Sequence, residues 1–202
     1  MRDNIMSIRK ASVQDFAAVK EITRRTIKTI YPHYYPAGAV AFFLEHHSDE
    51  NISVDISEGR VYLLNDDTQN AVATVTINGN EICRLFVLPQ YQGRGFGKEL
   101  LNFAEAEIAK HYDKAVVDAS LSAKAIYHKR GYKETGYHTI RTQNGDCLCY
   151  DVMEKNFEGH DKNLSITDCY EMTVCQVEKG PPFGTPDGGI FTFCFDGYHS
   201  TV

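Results

Sequence analysis

Phe16, Val19, Ile22, Thr23, Ile27 and Ile30 recur at near-helical spacing behind Ser12 and Asp15, which resemble an N-cap with an acidic first turn. The spacing predicts an amphipathic helix over about 13 to 30. Pro32 and Pro36 end it, since proline lacks the N–H that a continuing helix needs. The tyrosine-rich connection Tyr31-Pro32-His33-Tyr34-Tyr35-Pro36 follows. Val40, Phe43 and Leu44 then open a second helix, and a short third helical piece covers Glu50 to Ser57. From Arg60 the pattern switches to extended runs, Val61 to Leu64, Ala71 to Ile77 and Ile82 to Val87, separated by Asn65-Asp66-Asp67 and by Asn78-Gly79. Asn-Gly between two such runs is a strong hairpin signal because both residues tolerate positive φ. Three consecutive antiparallel strands are therefore expected.

Pro89 ends the third strand and a glycine cluster follows, after which Leu100, Leu101, Ala104 and Ile108 mark the buried face of a helix running to about His111. Ala115-Val116-Val117 is a short apolar strand, so residues 82 to 118 form a strand, glycine loop, helix, strand unit of the parallel crossover type. One more short helix is expected at 121 to 129, closed by Gly131, and two last strands, about 133 to 141 and 146 to 154, joined by Asn144-Gly145. After Asn156 the character changes to a polar linker, a candidate strand at 170 to 178, a glycine- and proline-rich loop and the alternating Phe191, Phe193 and Phe195. The expected division is a main domain over 1–156 and a C-terminal extension over 157–202 that forms an added β-hairpin. A lone hairpin is marginal in water, so this extension is expected to pack on the main domain or to pair at a sheet edge in a homodimer.

Length and composition narrow the class. The 202 residues suffice for one sizeable core, and 43% hydrophobic with 24% charged residues is the balance of an ordinary globular protein. No run of 18 apolar residues exists and the N-terminus lacks the apolar segment of a signal peptide, so a cytoplasmic protein without membrane contact is expected. The six cysteines sit inside apparent strands with no C-x-x-C pair and read as reduced core thiols. A formal net charge of -6 argues against nucleic acid as a partner, and an acidic surface suits a cationic small substrate. His46, His47, His111 and His128 lack ligand spacing, so no metal is expected.

The segment Gln92-Gly93-Arg94-Gly95-Phe96-Gly97 lies between a strand and a helix start, where backbone N–H groups lack internal partners and the helix dipole favours an anion. A phosphate suits that place, with Arg94 and Lys98 adding positive charge, although a tight turn alone would use the same glycines. A Walker loop fails, because Gln92 replaces its first glycine and Glu99 replaces its hydroxyl residue. A dinucleotide fingerprint fails by one residue, its third glycine falling on Lys98. Asp118, at a strand end, imitates the ribose-binding acid of that fold and keeps a nicotinamide-dependent oxidoreductase as the second reading.

The run Arg84-Leu85-Phe86-Val87-Leu88-Pro89-Gln90-Tyr91-Gln92-Gly93-Arg94-Gly95-Phe96-Gly97-Lys98-Glu99-Leu100-Leu101 resembles motif A of the GNAT superfamily of acyl-coenzyme A-dependent N-acyltransferases. Ala123, Tyr127, Lys129, Gly131 and Tyr132 resemble its second motif at the usual distance downstream, and the resemblance spans roughly 6 to 156. It departs from the pattern at Ser120, where asparagine is common. The resemblance implies an α/β fold of mixed α+β type, with a mostly antiparallel sheet flanked by helices and a cleft where two parallel strands diverge. It implies acetyl-coenzyme A as cosubstrate, held by Leu85, Phe86, Val87, Gln92, Gly93, Arg94, Gly95, Phe96, Gly97, Lys98, Ser120, Ala123, Tyr127 and Lys129.

The implied chemistry is direct acetyl transfer to a small amine or peptide amine in a ternary complex. The amine must lose a proton before it attacks, and Glu81 is the candidate base; a strand-edge glutamate after a turn is the plain alternative. A strand N–H near Val87 is the candidate oxyanion donor. Tyr127 is the candidate donor to the leaving thiolate, its alternative role being a packed core ring. Arg94, Lys98, Lys124, Lys129 and Arg130 are expected to gather around the coenzyme. Tyr31, Tyr34 and Tyr35 either line the acceptor pocket or pack as a loop. A non-catalytic acyl-coenzyme A sensor would keep the glycine loop and lack a base.

Overall fold

The computed structural model describes residues 7–157, and the expectations for the segment after 157, hairpin and dimer edge included, lie outside them. The chain runs β1 (Ser7–Lys10), α1 (Phe16–Ile30), α2 (Ala37–His46), α3 (Asp49–Ser57), β2 (Val61–Asn65), β3 (Ala71–Asn78), β4 (Glu81–Val87), α4 (Phe96–Ala109), β5 (Lys114–Ser120), α5 (Lys124–Lys129), β6 (Lys133–Arg141) and β7 (Cys147–Asn156). One seven-stranded sheet has the order β1-β2-β3-β4-β5-β7-β6. All neighbours are antiparallel except β4 and β5, because the crossover through α4 returns the chain in the same direction.

Ser12 and Asp15 form the expected capping box, reinforced by Arg9, whose guanidinium reaches both carboxylate oxygens of Asp15 at 2.6 and 2.8 Å. Strand β1 carries no alternation of its own; its pairing with β2 makes it a strand. The Asn78-Gly79 hairpin and the Asn144-Gly145 turn fall where expected, with Gly79 at φ 57 and Gly145 at φ 86.

The two faces of the sheet differ. Against α4 lie Val75, Ile82, Val87, Ala115, Val117, Ala119 and Met153, packed on Leu100, Leu101, Ala104 and Ile108. Against α1, α2 and α3 lie several buried polar groups instead. Arg84 donates to Thr76 Oγ1 at 2.7 Å, pairs with Asp55 at 2.9 Å, and turns its Nε to His47 Nδ1 at 3.4 Å. Burial, then the Arg84 charge, holds His47 well below its usual pKa, so the ring is neutral.

The cysteine reading is corrected for the described residues. Cys147 is exposed, and Cys83 and Cys149 are half-buried thiols outside any disulfide, because the alternation on β4 and β7 gives the deepest places to their neighbours.

Candidate functional site

The site begins where the sheet comes apart. β4 and β5 share the single rung Glu81↔Val116, fixed by the Val116 N–H to Asn80 carbonyl bond at 2.9 Å, and then diverge. Leu88 donates its N–H to the Val72 carbonyl on the β3 side, so alternation along the strand turns the amides of Val87 and Leu85 toward the gap. The Val87 carbonyl, on that same edge, accepts from Thr26 Oγ1 at 3.1 Å and from Gln92 Nε2 at 3.0 Å. Gln92 thus ties the glycine loop to the strand. The side chains of Leu85 and Val87 pack toward α4 and that of Phe86 toward Tyr31 and His47, while only the main-chain groups of Leu85 and Val87 face the gap.

The loop then opens into α4. Gly93 and Gly95 stand at φ 73 and φ 92, with nothing within 4 Å of where a Cβ would be, so the loop surface is bare and its backbone reachable. Gly95 is the N-cap of α4 with no side-chain cap, leaving the first-turn amides for a ligand. Arg94 lies over the rings of Tyr91 and Phe96, at 5.2 and 5.3 Å, which holds its charge beside the loop. Lys98, in the first turn of α4, and Lys129, at the end of α5, are exposed. The expected basic cluster needs correcting, because two members are committed elsewhere. Lys124 is paired with Glu134 at 2.8 Å and Asp151 at 2.9 Å, and Arg130 with Glu105 at 2.6 Å.

Across the gap, Ser120 ends β5 and accepts the Ala123 N–H on its carbonyl, while its hydroxyl lies 3.0 Å from that of Ser122. Ala123 leads into α5, whose Tyr127 is buried with its ring edge-on to Tyr132 at 5.2 Å. Burial chiefly, with the phenol of Tyr31 and the charge of Glu105, pushes the Tyr127 phenol up, so it stays protonated and able to donate. Burial pushes Tyr31 up to about 12, against a hydrogen bond from Ser120. Tyr31, Ser120 and Tyr127 therefore meet at the end of β5, although they come from the turn after α1, from β5 and from α5.

The tyrosine-rich connection divides by role. Tyr35 is a clasp: its hydroxyl accepts from the Leu121 N–H at 2.7 Å and donates to the Cys149 carbonyl at 3.0 Å. Tyr31 packs edge-on to Phe43 at 4.6 Å, and Tyr34 is exposed. Asp146 accepts the Gly38 N–H at 2.7 Å, so the β6–β7 turn closes over the start of α2.

Glu81 stands half-buried at the rung, and its charge contributes to pushing up the phenol of Tyr150 on β7. Sequence reasoning missed Thr26, Tyr150 and His138, and it weighed Asp118 only as the ribose-binding acid of its second reading. The alternation of Asp118, His138 and Tyr150 was visible, but the pairing that gives them a shared face was not, nor was the contact of Thr26 on α1 with the Val87 carbonyl. Asp118 sits in a strand bordered by a partly open parallel neighbour, within a sheet of mostly antiparallel strands. Among the described residues no group of three or more His, Cys, Asp or Glu could hold a metal ion, and no helix is long and apolar enough to cross a membrane.

No curated protein matches the chain. Solved structures share its fold. A GCN5-related N-acetyltransferase from Rhodopseudomonas palustris superposes with a TM-score of 0.68 at 23% identity, over 75% of this chain and 95% of its own. The PaiA N-acetyltransferase of Thermoplasma acidophilum in complex with coenzyme A gives a TM-score of 0.56 at 23% identity, over 75% and 99%. The ribosomal-protein-S18-alanine N-acetyltransferase of Escherichia coli gives 0.58 at 18%, over 80% and 99%. The family model of the acetyltransferase (GNAT) domain matches residues 30–149, from the end of α1 into β7 and across both lips of the gap, and the chain belongs to that family of acyltransferases.

Proposed function

We propose that this chain is an N-acetyltransferase that moves an acetyl group from acetyl-coenzyme A directly to a primary amine bound beside it in a ternary complex. The observation that carries the reading is the parting of β4 and β5 after one rung, next to a bare glycine loop that opens a fourteen-residue helix. The main-chain groups of an open strand edge suit the amides of a pantetheine arm, and the uncapped amides of α4 with Arg94 and Lys98 suit a pyrophosphate. The relative solved with coenzyme A, and a putative acetyltransferase from Salmonella typhimurium solved with acetyl-coenzyme A, support that choice of donor.

In this reading Glu81 takes the ammonium proton, through water, before the amine attacks. The amides of Leu85 and Val87, turned into the gap, stabilise the oxyanion. Tyr127 donates to the departing thiolate. The placement of Glu81, electrostatically coupled to Tyr150, favours an enzyme over a silent sensor, and the family match removes the nicotinamide reading. The catalytic unit is residues 1–156, in the cytoplasm. The full chain, extension 157–202 included, is proposed to be a homodimer, and light scattering giving a monomer would dismiss that.

The test is acetyl-coenzyme A consumption by the full chain against an amine library. With the best acceptor, Tyr127→Phe should lower kcat by about 10- to 100-fold, while coenzyme A affinity changes by less than about twofold. Glu81→Gln should lose most rate at low pH, where the free amine is rarest. An unchanged kcat in the first variant returns Tyr127 to packing, and a pH profile like that of wild type in the second points to another base.

A further inference from the structure

Asp118 takes no part in the chemistry above. It stands on β5 two residues past the Glu81↔Val116 rung, so it is the first residue on its face beyond the point where β4 leaves β5. Val116, Asp118 and Ser120 share that face with their partners across β7, Glu154, Val152 and Tyr150. His138 of β6 is the partner of Tyr150 and stacks on it, with ring centroids 5.2 Å apart. After burial itself, the charges of Asp118 and Glu81 push the Tyr150 phenol up, and His138 is the group whose charge acts on Asp118. Two carboxylates and two rings from four strands therefore border one space.

Asp118 is half-buried, yet among the described residues its carboxylate has no hydrogen bond or ion pair. The buried aspartates Asp55 and Asp151 each have a cation, Arg84 at 2.9 Å and Lys124 at 2.9 Å. A desolvated carboxylate without a counter-ion costs stability, so its natural partner is a cation that arrives with the substrate.

We infer that Asp118 holds the ammonium group of the acceptor and, with Glu81, restricts acceptors to primary amines that carry no carboxylate beside the nitrogen. This rests on the N-acetyltransferase reading. A free α-amino acid would bring its carboxylate against Asp118 and Glu81 in a space of reduced dielectric, and like charges there repel strongly. The Tyr150 ring, with His138 stacked on it, supplies an aromatic wall for the body of the amine. Burial raises Asp118 to about 6, with His138 pulling the other way. Its charge is then present at neutral pH and lost as the pH falls through about 6, with Glu81, His138 and Tyr150 the other titratable groups facing it.

Two matched pairs of probe amines, each differing by one carboxylate, test this on the full chain: phenethylamine against phenylalanine, and putrescine against ornithine. Wild type should acetylate at least one of the two amines with a kcat/KM about 100-fold or more above that of its carboxylated partner, and the amine KM should rise below pH 6. Asp118→Asn should raise that KM at least tenfold, shift kcat by less than about threefold, narrow the pair preference and leave coenzyme A binding by calorimetry unchanged. Asp118→Glu should recover much of the KM. Equal use of both members of a pair by wild type, or a wild-type KM in Asp118→Asn, overturns the assignment. Should Asp118→Asn fail to fold, the wild-type pair preference and pH profile decide. Wild type acetylating none of the four would instead remove the small-amine acetyltransferase reading itself, and this assignment with it.

Discussion

The two faces of the sheet are built on opposite terms. Toward α4 the strands present Val75, Ala115, Val117, Ala119 and Met153, and the packing there is close to purely apolar. Toward α1, α2 and α3 the same strands present Thr76, Arg84, Asp118, Ser120 and Tyr150. The first face gains from burial alone; on the second, Thr76, Arg84 and Ser120 have hydrogen-bond partners, whereas the Asp118 carboxylate has none among the described residues. The apolar face thus holds the strands in place, while the polar face keeps the groups that a reaction can use. The glycine loop belongs to neither face: it offers backbone, which no side-chain substitution removes but which a Cβ can obstruct.

Three changes would sharpen or break that contrast. Arg84→Met should have the largest effect, because it leaves Asp55 buried and uncompensated beside the neutral His47; a loss of about 3–5 kcal/mol in denaturant unfolding is expected. Adding Asp55→Leu should recover most of it, since a buried pair replaced by apolar groups is often close to neutral. A small loss in the single variant would mean that the polar face is not held by this pair.

Gly95→Val comes next. The position has φ 92, which a β-branched residue adopts poorly, and nothing within 4 Å would stop its side chain from standing over the loop. Coenzyme A affinity should fall at least tenfold, about 1.4 kcal/mol or more, by calorimetry. Equal affinity would show that the loop backbone is not approached by the ligand.

The smallest effect is a gain. Because burial raises the Asp118 pKa from 3.8 to about 6 in the folded state, the folded chain binds the proton more tightly than the unfolded chain. Its charge therefore costs stability above pH 6, and the cost disappears as the pH falls toward the unfolded value. Asp118→Asn should be more stable than wild type by about 1 kcal/mol at pH 8, with the difference shrinking toward pH 4 in urea titrations. No difference at pH 8 would mean that Asp118 is better solvated than its burial implies.

Most of the local structure was legible in the chain. The expected helix over about 13 to 30 appears as a 3-10 turn followed by Phe16–Ile30, and the strand expected at 82 to 87 appears as Glu81–Val87, because apolar period and turn residues are local signals. The strand read as Ala115-Val116-Val117 runs on to Ser120, since Asp118 and Ser120 break the apolar run although they still pair with β7. β1 was invisible, as four residues with two exposed positions carry no pattern until β2 pairs with them. The glycine loop was legible because its requirement, positive φ with close approach, is met by residue type alone.

The sequence alone carried the helices, the strands from β2 onward and the glycine loop, since these depend on neighbours a few residues apart. What only the tertiary structure decided was which polar residues share a space. Lys124 and Arg130 look like phosphate ligands until Asp151 and Glu105 arrive from strands and helices far along the chain to neutralise them. Asp118 looks like a cofactor acid until β6 and β7 bring His138 and Tyr150 onto its face. The reason is physical: a side chain's charge state and partners are set by contacts across the sheet, and register, not sequence distance, fixes those contacts.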